Sequence, residues 1–114
     1  MQAFVLSVRI ALLAVLALAL AGSALAQPAV DTKAAIHIGE LYACLECHNP
    51  NIKVLGPSFK DIAAKYRDDK TAMDKLSAKV KKGGVGVWGE IAMPPAATIK
   101  DDELKLVLSW ILSH

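Results

Sequence analysis

The stretch Tyr42–Phe59, YACLECHNPNIKVLGPSF, decides how this chain is read. It holds both cysteines of the sequence, Cys44 and Cys47, and His48 follows the second directly. Three chemistries use closely spaced thiols of this kind: a disulfide, part of a zinc site, and an attachment point for a larger group. The residues on either side help to choose among them.

Toward the N-terminus, Met1 to Ala26 carries one charge, Arg9, then a long apolar run that ends in Ala24-Leu25-Ala26. A basic start, an apolar centre and a small-residue end are the pattern of a secretory signal peptide. The segment 1–26 is therefore expected to be removed, leaving residues 27–114 as one domain. The competing reading is a retained anchor, because the run is near the lower length limit for spanning a bilayer. Of 13 Lys and Arg only Arg9 lies in this segment, so the remainder has 12 basic against 11 acidic residues. That balance, with no dense basic run, is no footprint for nucleic acid. A domain this small commonly needs a disulfide, metal or cofactor as a staple. Export would also place the two thiols where they tend to oxidise.

Beyond the expected leader the chain reads as helices joined by loops. Asp31 is placed to cap a first helix whose apolar face is Ile38, Leu41 and Tyr42. Gly56-Pro57-Ser58 precedes a second, with Phe59, Ile62, Ala63 and Tyr66 at helical spacing. A third is expected from about Thr71 to Lys82, with Met73, Leu76 and Val80 inward. Lys79, Lys81 and Lys82 complement its dipole, and Gly83 stands at its end. GGVGVWGEIAMPPAA then reads as a long irregular loop whose apolar residues need something to cover. The last helix starts near Asp101, with Leu104, Val107, Leu108, Ile111 and Leu112 as its stripe and Trp110 at the flank.

C-x-x-C-H is the spacing of c-type haem attachment. Thiols three positions apart share one face of a helical turn, about 5–6 Å apart, which suits thioethers to two neighbouring vinyl groups. The histidine one step on can turn under the ring and bind iron. A redox disulfide would leave His48 without a role and normally accompanies strands, which this pattern lacks. Zinc would need two further ligands, with only His37 and His114 outside the motif as typical ones. A structural disulfide would close a very small loop and contribute little.

A haem iron bound by His48 needs a sixth ligand or an open position. Met73 lies on a helix stripe and reads as core, while His37 and His114 read as surface residues. Met93 sits in the irregular loop directly before Pro94-Pro95, which stiffen the chain and present its thioether at a defined place. His/Met ligation raises the potential of a c-type haem and leaves no room for substrate. It points to electron transfer.

Taken together, CLECH, LGPSFKDIAAKY, GVWGEIAMPP and the final helix with Trp110 resemble the small bacterial class I cytochromes c, in particular the c-551 type. The resemblance covers the chain from about Asp31 onward. It implies an all-α fold of about four helices wrapped around one haem c, with the first and last helices packed together. It implies a monomeric periplasmic electron shuttle and no enzyme. Upstream the partner would be a quinol-oxidising cytochrome complex, downstream a nitrite reductase or terminal oxidase. By position, Cys44 and Cys47 would hold the haem, and His48 and Met93 its iron. The Pro57 carbonyl would orient His48, and the Trp88 indole would donate to a propionate unless it is plain core. Gly56 and Gly86 would let the backbone approach the haem. Lys79 stands where relatives often carry Arg or His, and Ala96-Ala97 where an Asn is common. Lys53, Lys81 and Lys82 would be rim charges. The alternative reading is a haem c domain with a displaceable methionine, serving ligand sensing or peroxidase chemistry.

Overall fold

The computed structural model describes residues 28–114; the expected signal segment, 1–26, lies outside the described residues. Five helices follow in order: α1 Thr32–Leu41, α2 Cys44–Cys47, α3 Phe59–Tyr66, α4 Ala72–Lys82 and α5 Asp101–Leu112. No strand occurs among the described residues, only an isolated antiparallel bridge between Gly84 and Met93. The all-α expectation holds. Four helices are the expected ones, and the fifth, α2, is the single turn carrying the two cysteines.

The helix starts follow from local chemistry. Asp31 Oδ1 accepts from the Ala34 amide at 3.0 Å, and Ser58 Oγ accepts from the Asp61 amide at 3.0 Å. Each satisfies a donor that the first turn leaves unpaired. Asp101, Asp102 and Glu103 open α5, where the dipole favours negative charge. Gly83 ends α4 at φ +68°, its amide bonded to the Lys79 carbonyl at 2.7 Å.

The core is built on α5. Leu104, Val107, Leu108, Trp110 and Ile111 are buried there and meet Ala35 and Ile38 of α1, Phe59 and Ile62 of α3 and Leu76 of α4. Full burial of one large apolar side chain stabilises by about 1.5–3 kcal/mol, so this stripe supplies much of the driving force. Trp110 is more than a flank: it is buried, with its ring edge-on to Phe59 at 5.2 Å. The Tyr42 hydroxyl donates to Glu103 Oε2 at 2.7 Å and ties the end of α1 to α5. That bond, then burial, pushes the phenol pKa up.

The apolar face of α1 differs from expectation. Leu41 is 63% exposed, and the buried positions are Ala35, Ile38 and Gly39. Ala35, Ile38 and Tyr42 form the inward row, at i, i+3 and i+7, and Leu41 falls beside it at the helix end. Ala43 then takes a left-handed conformation, φ 57°, which stops α1 and restarts the chain as α2. An alanine there costs about 1–2 kcal/mol, and nothing in its sequence announces the break.

Candidate functional site

The two thiols bracket α2, and both are free and half-buried. Burial pushes the Cys44 thiol pKa up, with the neighbouring Cys47 adding to the shift. A reactive redox cysteine needs the reverse, a stabilised thiolate. No group of three or more His, Cys, Asp or Glu side chains converges as a metal site among the described residues.

His48 leaves α2 in an extended conformation, its amide bonded to the Cys44 carbonyl at 3.0 Å. Its ring Nδ1 lies 2.7 Å from the Pro57 carbonyl oxygen. A carbonyl only accepts, so Nδ1 carries the proton and Nε2 keeps its lone pair for a metal. Two further contacts hold the ring. Phe59, 1% exposed, stacks on it at 5.8 Å and 23°. Gly56 lies against it so closely that an added Cβ would sit 2.5 Å from Cε1. The Gly56 amide donates to the Cys47 carbonyl at 2.8 Å, and the Phe59 amide to the Asn49 carbonyl at 3.1 Å. Gly56 therefore makes its close approach to the histidine ring, where the sequence suggested an approach to the haem.

Met93 sits at the neck of a strap. Its amide donates to the Gly84 carbonyl at 2.8 Å and its carbonyl accepts from the Gly84 amide at 3.0 Å. Gly83 has no room for a side chain, since a Cβ would lie 2.4 Å from the Met93 carbonyl oxygen. Beyond the prolines, the Ala96 amide donates to the Val80 carbonyl at 2.8 Å and fastens the strap to α4. Between the anchors the loop is open. Gly86 and Gly89 have positive φ and no atom within 4 Å of where a Cβ would stand. Gly86 is thus required by its turn, with its amide bonded to the Gly89 carbonyl at 2.9 Å.

Both halves face one cavity of about 300 Å³. Cys44, Cys47, His48, Pro57, Trp88 and Met93 all line it. So do Leu55, Val85, Val87 and Ile91, which are 53%, 58%, 48% and 64% exposed. Clustered exposed apolar side chains of this size mark a surface that something covers. An apolar disc carrying a metal, bonded at two thiols and approached by Nε2 of His48, fits this lining. Trp88 is outside the core cluster and 39% exposed, so plain core packing does not describe it. Met73 packs against the core and His37 is exposed, as expected. His114 is exposed too, but its ring meets Phe59 at 5.8 Å and Trp110 at 5.2 Å edge-on. Sequence reasoning missed that contact, which no periodicity at a chain end signals.

An all-α fold wrapped on a cavity with two thiols and an oriented imidazole defines a c-type haem protein. Comparison with known proteins agrees. The Cytochrome c family pattern matches residues 37–114. Cytochrome c-551 of Allochromatium vinosum is 48% identical over 69 residues, which are 60% of this chain and 73% of that protein. Cytochrome c-551 of Stutzerimonas stutzeri is 38% identical over 98 residues, 84% of this chain and 90% of that protein. The crystal structure of Nitrosomonas europaea cytochrome c552 superposes with a TM-score of 0.65 at 42% identity, covering 68% of this chain and 96% of that one. The chain belongs to the cytochrome c family, as a small class I member of the c-551 type, with one haem c held covalently through Cys44 and Cys47. It is an electron carrier.

Proposed function

We propose that this carrier works in the periplasm, with His48 and Met93 as the axial ligands of its iron. The observation that carries the assignment is the bond from Nδ1 of His48 to the Pro57 carbonyl, which frees Nε2 in a cavity that Met93 also lines. The haem supplies the Fe(III)/Fe(II) couple. The chain's own work is to hold both ligands still, so that no bond need form or break as the charge changes. Phe59, Gly56 and Pro57 fix the imidazole, and the bridge to Gly84 and the two prolines fix the thioether. With both axial positions filled by side chains, no position remains for substrate, which supports a carrier over an enzyme.

Trp88 offers its indole N–H to a haem propionate in this reading. Lys79 supports it: its Nζ lies beside Gly84, 2.7 Å from where a Cβ would stand, and has no carboxylate within 4 Å among the described residues. A lysine there supplies charge without the two-pronged fork of arginine. Among the rim lysines, Lys53 lines the cavity, while Lys81 already pairs with Asp101. Export is supported by the apolar leader and by thiols that thioether formation protects. The proposed partners are a quinol-oxidising cytochrome complex and a nitrite reductase or terminal oxidase, met by a monomer through a small, transient interface at the exposed cavity rim.

Expression in a host competent for cytochrome maturation, followed by a pyridine haemochrome assay, checks the covalent haem. Met93→Ala then checks the ligand. Loss of a thioether ligand is expected to lower the reduction potential by on the order of hundreds of millivolts. An unchanged potential would remove Met93 from the iron and reopen the sensing or peroxidase reading.

A further inference from the structure

Trp88 stands in an exposed loop, inside the turn that the Gly86 amide closes on the Gly89 carbonyl at 2.9 Å. Gly84, Gly86 and Gly89 all have positive φ, and the space beside the last two is open. Yet the indole is contacted from another element. Lys65, in the last turn of α3, places Nζ 5.4 Å from the centre of the Trp88 ring. Trp88 lines the cavity and Lys65 does not, so the ammonium reaches the indole from outside.

The surroundings of Lys65 leave it free for this contact. Its ordinary partner would be Asp61, one helical turn earlier, in the favourable acid-before-base order. Asp61 Oδ2 instead accepts from the Ser58 hydroxyl at 2.7 Å. The ion pairs among the described residues are Lys75–Asp69, Lys81–Asp101 and Lys100–Glu103, and Lys65 belongs to none. An ammonium without a carboxylate, seated on an indole face, is attracted by the ring quadrupole.

We infer that Lys65 is a positioning residue: a cation–π clasp from α3 that holds the Trp88 indole, and with it the tip of the open loop, in place beside the haem cavity. The clasp deepens the reading of Trp88 as the propionate's hydrogen-bond donor, and its effect on potential rests on that reading. Its chemistry asks for a cation on the ring, so arginine should replace lysine and glutamine should not.

The test uses ferrous holoprotein and its two indole N–H signals. Lys65→Gln should speed solvent exchange of the Trp88 indole N–H about two- to fivefold, the factor that such a contact carries at an exposed site. Lys65→Arg should restore it. The buried Trp110 indole should not respond. The Lys65 ε-methylene protons should lie upfield in the parent and move back in Trp88→Leu. Reduction potentials complete a double-mutant cycle. Lys65→Gln should shift the potential in the parent and by less in Trp88→Leu. Unchanged indole exchange in Lys65→Gln, or an equal potential shift in both backgrounds, overturns the clasp. If Trp88→Leu leaves the potential unmoved while Lys65→Gln still speeds exchange, the clasp stands and the propionate role of Trp88 falls.

Discussion

The two sides of the cavity are built by different means. On the His48 side, ring, carbonyl, glycine and core aromatic interlock: Pro57 accepts from Nδ1, Gly56 presses on the ring, and Phe59 joins it to Trp110 of α5. On the Met93 side, the chain is pinned at Gly84, Met93 and Ala96, and the residues between the pins are exposed. Val85, Val87 and Ile91 have no protein cover of the kind that buries Phe59 and Leu104. One side is finished by the protein itself, and the other is finished by its cofactor. The polypeptide thus fixes His48 through its core and Met93 through the neck of a loop.

The largest test of that contrast removes the cofactor. Cys44→Ala/Cys47→Ala should leave no haem that resists acidified-acetone extraction. The uncovered strap should then bind a hydrophobic dye, and amide exchange should rise first across residues 84–92. If both sides lost protection together, the contrast would be wrong. Next in size is Gly83→Ala. The added Cβ would meet backbone atoms of Met93, Pro94 and Pro95 at 2.4–3.0 Å, at a φ that only glycine adopts easily. A loss of about 3 kcal/mol or more in urea unfolding is expected, with Met93 displaced from its place at the neck. Gly56→Ala should cost less, about 1–3 kcal/mol, because the clash is with a ring that can shift. Its signature should be a changed His48 imidazole resonance, from the weakened Pro57 bond. A larger loss for Gly56→Ala than for Gly83→Ala would reverse the assignment of which neck is less yielding.

The smallest effect should lie away from both sides. In the turn between α3 and α4, Lys75 and Thr71 bond to Asp69 and hold its carboxyl at about 2, below its ordinary 3.8. A depressed folded pKa contributes stability that is present above the unfolded value and lost as pH falls through the folded one. Asp69→Asn should therefore flatten acid unfolding between about pH 4 and pH 2, as followed by helical signal. The reduction potential at neutral pH should not move.

Much of this was legible in the chain because the signals are local. Asp31, Ser58 and Gly83 mark helix ends through chemistry that acts within four residues, and the α5 stripe follows from a fixed period. The spacing C-x-x-C-H carried the cofactor for the same reason: one helical turn sets the distance between two thiols. Ala43 was not legible, because alanine in a left-handed conformation is imposed by the packing around it. The exposure of Leu41 was hidden as well, since a helix end decides which of two adjacent apolar residues turns inward. Gly56 was recognised as a close-approach glycine, but its partner was the imidazole.

By itself, the sequence determined the all-α class, the covalent anchors and the residue types able to bind iron. Each depends on neighbours in the chain, whose separation the backbone fixes. Only the tertiary structure decided what holds those residues in position. Pro57 lies nine residues beyond His48, Gly84 nine before Met93, and Lys65 on a different helix from Trp88 altogether. Contacts of that kind form when burial of the α5 stripe brings separate elements together, and no local spacing encodes which side chains then meet.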